Sequence, residues 1–187
     1  MKSRSISYLT QDETKRLFSA IKTKRDRAIF LTAYRHGLRA SEIGMLQRTD
    51  VDLKSGRLTI QRAKGSLSGV HSMQPDEIKA LRAYLATRAD SSPYLFISNR
   101  TLPISRFTLL HYMQTYAEAA GIPEEKQKFH SLRHSIATHL LDAGADLSFV
   151  KDWLGHANIQ NTTIYARLTS PTRDQQARRL FASHRVV

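Results

Sequence analysis

The sequence contains no cysteine. That absence excludes disulfides, thiolate-bound zinc and thiol catalysis together. No apolar run approaches the ~20 residues that a helical membrane span requires. The first residues, Met1-Lys-Ser-Arg-Ser-Ile-Ser7, lack the apolar stretch of a signal peptide, so a cytoplasmic protein is expected. Acidic residues are scarce: 16 Asp and Glu stand against 29 Lys and Arg, a formal charge of +13. A chain this basic suits a polyanionic partner. Its Lys and Arg are spread along the chain and not gathered in one cluster, which argues against an anionic membrane surface. What is present is ordinary for a folded protein: 41% hydrophobic residues over 187 positions, enough for one large domain or two small ones. There is no internal repeat and no low-complexity region.

The hydrophobic spacing predicts a mostly helical chain with one small sheet. Thr10-x-x-Glu13 reads as a capping box opening a helix to about Ile21. A second helix is expected from Lys24 to His36, closed by Gly37, and Ser41 is expected to cap a short third one. From Asp50 to Gln74 the period changes to alternation interrupted by two turns, Lys54-Ser-Gly56 and Ala63-Lys64-Gly65-Ser66. This predicts a three-stranded antiparallel sheet. Helices follow from Glu77 to Arg88 after Pro75, and from Ser105 to Ala120. Three more are expected over Ser131–Ala143, Leu147–Leu154 and Ile159–Leu168. Pro171 begins a basic terminal helix. The class is α+β, read as a single catalytic domain over 1–187, with an arm at 1–9, a core at 10–168 and a basic tail at 169–187.

The stretch from Phe129 to Tyr165 gathers unusual chemistry. It holds His130-x-x-Arg133, a helical run, Leu154-Gly155-His156, and a tyrosine nine residues beyond that histidine. His130 and Arg133 are three apart and share a helix face, at a helix start that offers backbone donors to an anion. Breaking a DNA phosphodiester without a metal needs cations on the nonbridging oxygens, a nucleophile, and an acid for the leaving 5′ oxygen. Arginine suits the first task because it is always charged and forked. A tyrosine hydroxyl can be the nucleophile, and a lysine beside other cations can be the acid. Arg39, Lys64, His130, Arg133, His156 and Tyr165 are the candidates for those roles. His130 and His134 could bind zinc four apart on a helix, but no third ligand stands at a zinc spacing.

Together these motifs resemble the tyrosine recombinase, or phage integrase, family. The matching residues are Gly37-Leu-Arg39-Ala-Ser-Glu42-Ile, Lys64 in the sheet turn, His130-Ser-Leu-Arg133-His134, Leu154-Gly155-His156 and Tyr165, in order over about Thr10 to Leu168. The resemblance implies a catalytic domain that cuts and rejoins double-stranded DNA through a 3′-phosphotyrosyl intermediate, using no metal, no ATP and no other cofactor. It implies a homo-tetramer on paired sites, a monomer without DNA, and a nucleoid-associated protein. Arg39 and Arg133 would hold the scissile phosphate. Lys64 would protonate the leaving oxygen. His130 would hydrogen-bond the phosphate and serve as acceptor for the tyrosine proton, and His156 would donate to a nonbridging oxygen. Tyr165 would attack. Glu42 would orient Arg39, and His134 would support the site from behind. The short N-terminus matches compact members such as the fimbrial phase-switch invertases, with the N-terminal core-binding domain absent; an excised domain of a larger protein is the alternative. The turn after Lys64 lacks a second basic residue common in the family. A non-cutting DNA-binding regulator and a type-IB-like topoisomerase remain open as other uses of the same fold.

Overall fold

The structure, a computed structural model, describes residues 6–62 and 65–166. The helices are α1 (Gln11–Ala20), α2 (Lys24–His36), α3 (Ala40–Met45), α4 (Pro75–Leu85), α5 (Arg106–Ala119), α6 (His130–Asp142), α7 (Leu147–Leu154) and α8 (Gln160–Ala166). The strands are β1 (Val51–Asp52), β2 (Arg57–Ile60) and β3 (Gly69–Ser72). They form one antiparallel sheet in the order β1-β2-β3, with Leu58 opposite both Val51 and His71. Lys64, Arg167, Leu168 and the basic terminal helix expected from Pro171 lie outside the described residues. Among the described residues, no helix is long and apolar enough to cross a membrane.

Local chemistry explains most boundaries. At α1 the Thr10 hydroxyl accepts from the Glu13 N–H while the Glu13 carboxylate accepts from the Thr10 N–H at 2.7 Å. Helix α2 stops where Gly37 takes up φ 58°, and its N–H caps the last turn. The third helix differs from expectation. Its N-cap is Arg39 and not Ser41, because the Glu42 carboxylate reaches back to the Arg39 N–H at 2.9 Å. Helix α4 ends at Leu85, short of the expected Arg88. Arg88 instead pairs with Asp90 and donates to the Leu95 carbonyl at 2.8 Å, so it serves the following loop.

Two apolar clusters make the core. The larger runs from Leu9 and Leu17 through α2, the sheet, α4 and α5 to Phe129 and Leu132. The smaller holds Ile136, Ala137, Leu141, Val150, Leu154 and Tyr165. Helix α6 belongs to both, and its side chains are buried nearly all round. It is held from the N-terminal side as well: the Leu9 N–H donates to the Ser135 hydroxyl at 2.8 Å, and Lys126, just before α6, pairs with Glu13 at 2.8 Å. The seam between the clusters, along α6, is where the polar groups of interest collect.

Candidate active site

Two arginines are buried at that seam and share one backbone atom. Arg133, on the first turn of α6, is 1% exposed. Its guanidinium donates to the Gly37 carbonyl and, at 2.9 Å, to the Leu154 carbonyl. Arg62, just past β2, also donates to the Gly37 carbonyl, at 3.3 Å. These acceptors are the C-terminal ends of α2 and α7, where unpaired carbonyls carry partial negative charge. That field offsets the cost of burying two cations, and Glu42 supplies a full negative charge, pairing with Arg39 at 2.7 Å and Arg62 at 3.1 Å. Burial, then the Arg39 and Arg62 charges, pushes the Arg133 pKa down to about 10. Arg39 differs from both: its side chain is 31% exposed, and its bonds to Glu42 and Ser66 both run from Nη1.

His156 is fixed by the turn that precedes it. Helix α7 ends on Gly155 at φ 68°, a left-handed conformation that glycine adopts without strain. A Cβ there would lie 2.5 Å from the Leu67 carbonyl oxygen, so only glycine admits the approach. The turn after β2 is joined to this segment: the Leu67 N–H donates to the Gly155 carbonyl at 2.9 Å, and Ser66 bridges to His156 as an isolated antiparallel pair. The Ser66 hydroxyl also accepts from Arg39 at 3.1 Å. His156 Nδ1 lies 2.9 Å from the Thr162 hydroxyl on α8. Burial, then Arg133, Arg39 and Arg62, lowers its pKa to about 4, so the ring is neutral near pH 7. In the tautomer in which Thr162 donates to Nδ1, Nε2 carries the proton and can donate.

Tyr165 comes from α8, which packs on α6 and α7. It is 2% exposed, and its hydroxyl lies 2.8 Å from His134 Nδ1. Burial raises its pKa to about 12, against the opposing pull of Arg133 and Arg39. His134 is held down to about 4 by burial, then by His130, Arg133 and His156, so it too is neutral and able to accept a proton. His130, one turn back on α6, faces solvent and meets the His134 ring edge-on at 4.5 Å between centroids. The surrounding protein, then the Arg133 and Arg39 charges, keeps its pKa below the ordinary value.

The structure thus brings Arg39, His130, Arg133, His156 and Tyr165 together, with Glu42 and His134 beside them. Lys64 lies outside the described residues; Ser66, two positions on, touches Arg39 and pairs with His156. The histidine that touches the Tyr165 hydroxyl is His134, not His130. Sequence reasoning gave no part to Arg62 or Ser66. Among the described residues, no group of three or more His, Asp or Glu is placed to hold a metal ion.

Residues 7–171 match the model of the phage integrase family. The chain is 38% identical over 166 residues to tyrosine recombinase XerA of Thermococcus kodakarensis, covering 86% of this chain and 58% of the relative. It therefore spans a little over half the length of that relative. It is 35% identical over 167 residues to the type 1 fimbriae regulatory protein FimE of Escherichia coli strain K12, covering 84% of each. Among solved structures, the crystal structure of XerA recombinase superposes with a TM-score of 0.80 at 32% identity, over 100% of this chain and 66% of that one.

Proposed function

Since this chain belongs to the phage integrase family, whose relatives include the tyrosine recombinases, we propose that it is a site-specific DNA recombinase, cutting and rejoining DNA through a 3′-phosphotyrosyl bond to Tyr165. The observation that carries the reading is the setting of one hydroxyl. Tyr165 rests against a neutral histidine at 2.8 Å while the charges of Arg133 and Arg39 act on it.

In the proposed reaction, Arg39 and Arg133 bind the nonbridging oxygens of the scissile phosphate. Arg39 is the more exposed of the two, and the charge building on those oxygens is met by preset cations. His156 donates from Nε2, and His130 hydrogen-bonds the phosphate from the solvent side. The Tyr165 oxygen attacks phosphorus as its proton passes to His134 Nδ1. The bond from phosphorus to the 5′ oxygen breaks, and Lys64 gives that oxygen its proton. A phosphodiester is exchanged for a phosphotyrosine, so the reverse attack by a 5′ hydroxyl rejoins DNA without ATP. No metal is required, because the cations occupy the positions a metal would fill. The basic chain draws double-stranded DNA to this face, four protomers assemble on two sites, and the work is done in the cytoplasm, at the nucleoid.

The test uses DNA from both flanks of the gene, nicked so that cleavage is trapped, with EDTA present. Wild-type protein is expected to give a slow-migrating covalent adduct on a denaturing gel, and Tyr165→Phe none, with equal DNA binding by both. Salt-sensitive binding with no adduct from wild type, on these and on longer genomic fragments, would favour a non-cutting regulator. Relaxation of supercoiled DNA by a monomer, without site preference, would favour a topoisomerase.

A further inference from the structure

Arg62 has no part in the reaction just described, yet its side chain is only 1% exposed and heavily engaged. Nη1 donates to Glu42 Oε2 at 3.1 Å and to the Gly37 carbonyl at 3.3 Å; Nη2 donates to the His36 carbonyl at 3.0 Å and the Trp153 carbonyl at 2.7 Å. A buried arginine is a costly way to fill space, and an apolar side chain of similar volume generally does it as well. The geometry suggests another use for it.

Two parts of the site meet at this guanidinium, and a third at the Arg62 backbone. Glu42 holds Arg39 with Oε1 and Arg62 with Oε2, so Arg62 fixes the carboxylate that aims Arg39. The Trp153 carbonyl belongs to the last turn of α7, directly before the Gly155 turn that presents His156. The Arg62 stem lies against that turn, since a Cβ on Gly155 would come 3.1 Å from Arg62 Cγ. The Arg62 N–H donates to the Ser68 hydroxyl at 3.0 Å, which ties Arg62 to the segment whose Ser66 accepts from Arg39 and pairs with His156.

We propose that Arg62 is a positioning residue that sets Arg39, His156 and the segment holding Ser66 and Ser68 in register with one another. The proposal builds on the strand-transfer reading and adds a residue that acts on the phosphate only through others. Lysine at this position keeps the charge but is a single point donor that cannot serve four acceptors on three segments.

Arg62→Lys tests it in two ways. In DNA-free protein, the Leu67 amide donates to the Gly155 carbonyl across the junction that Arg62 braces, and the His156 amide donates to the Lys151 carbonyl in the adjoining turn. They are expected to exchange with solvent about tenfold faster in the variant, while core amides such as Phe30 and Leu31 keep their rates. Unchanged rates, or equal acceleration everywhere, would overturn the proposal. The second arm uses the cleavage site mapped with wild-type protein. At saturating protein, Arg62→Lys is expected to cut an ordinary phosphodiester about a hundredfold more slowly, with DNA affinity held. On a neutral methylphosphonate at the same position, with no charge for Arg39 and Arg133 to meet, the loss is expected to shrink to about tenfold or less. The same loss on both substrates would mean that Arg62 only props up the fold. Failure of wild type to form an adduct would count against strand transfer, and amide exchange would then decide the case of Arg62 alone.

Discussion

The Tyr165 hydroxyl lies 2.8 Å from His134 Nδ1, and it reaches that nitrogen in preference to His130, one turn earlier on the same helix. With the His134 pKa lowered to about 4, the imidazole stays an acceptor where a free histidine would be charged. Single-turnover adduct formation is therefore expected to hold level as pH is lowered from about 8 to about 5.5, with no acid limb near the ordinary ~6.5. His134→Ala is expected to slow cleavage by about 10² while DNA affinity stays, the usual scale for a lost proton acceptor. An acid limb centred near 6.5 would remove His134 from that role.

The buried histidines also predict acid sensitivity of the fold. Burial, then His36 and Arg62, takes His71 down to about 3, and burial with the arginines takes His156 to about 4. Because their folded pKa values lie below those of the unfolded chain, the unfolded chain binds protons first. The stability these two histidines contribute is thus full above about pH 6.5 and is lost as pH drops toward 4 and then 3. At ~1.4 kcal/mol per unit of displacement, a loss on the order of a few kcal/mol is expected, read as a falling urea midpoint between about pH 7 and pH 4.

Glu42 is the carboxylate between two guanidinium groups, and its removal leaves Arg62 buried without a full counter-charge. Glu42→Gln is expected to lower unfolding free energy by about 3 kcal/mol, as when one partner of a buried pair is lost. Cleavage is expected to fall more than DNA binding, because Arg39 loses its orienting contact. A urea titration and a cleavage assay on the same preparation check both halves.

Gly155→Ala tests the turn itself. The new Cβ meets the Leu67 carbonyl at 2.5 Å in a left-handed backbone, so strain and the lost Ser66–His156 pairing act together. A destabilisation of about 2 kcal/mol or more is expected. Cleavage is expected to be lost even at temperatures where the variant is folded by circular dichroism.

Much of this was readable from the chain because it is local. Thr10 with Glu13, Lys24 to His36 before Gly37, and Leu147 to Leu154 before Gly155 carry their own stop and start signals, and the helices formed there. The spacing of His130 and Arg133 on one helix start needed no tertiary knowledge. Arg62 could not be found that way: its partners Glu42 and Trp153 lie 20 and 91 positions away, and nothing near it in sequence hints at burial. The choice between His130 and His134 was equally hidden. Both lie on α6, and only the approach of α8 decides which ring meets Tyr165. The third helix was misjudged at its first residue for a local reason, since the Glu42 carboxylate takes the Arg39 N–H and makes Arg39, not Ser41, the cap.

The frame of the site is built largely from backbone oxygen. Arg62 and Arg133 both take the Gly37 carbonyl, and the His36, Trp153 and Leu154 carbonyls complete their set. Every residue type has a carbonyl, so the acceptors survive substitution at the residues that supply them. Constraint passes instead to the donors and to Gly37, whose φ of 58° and 2.5 Å clearance from Leu154 Cδ2 admit no other side chain without a shift. Descendants of this chain can vary what surrounds the catalytic seam far more readily than they can vary its two buried forks.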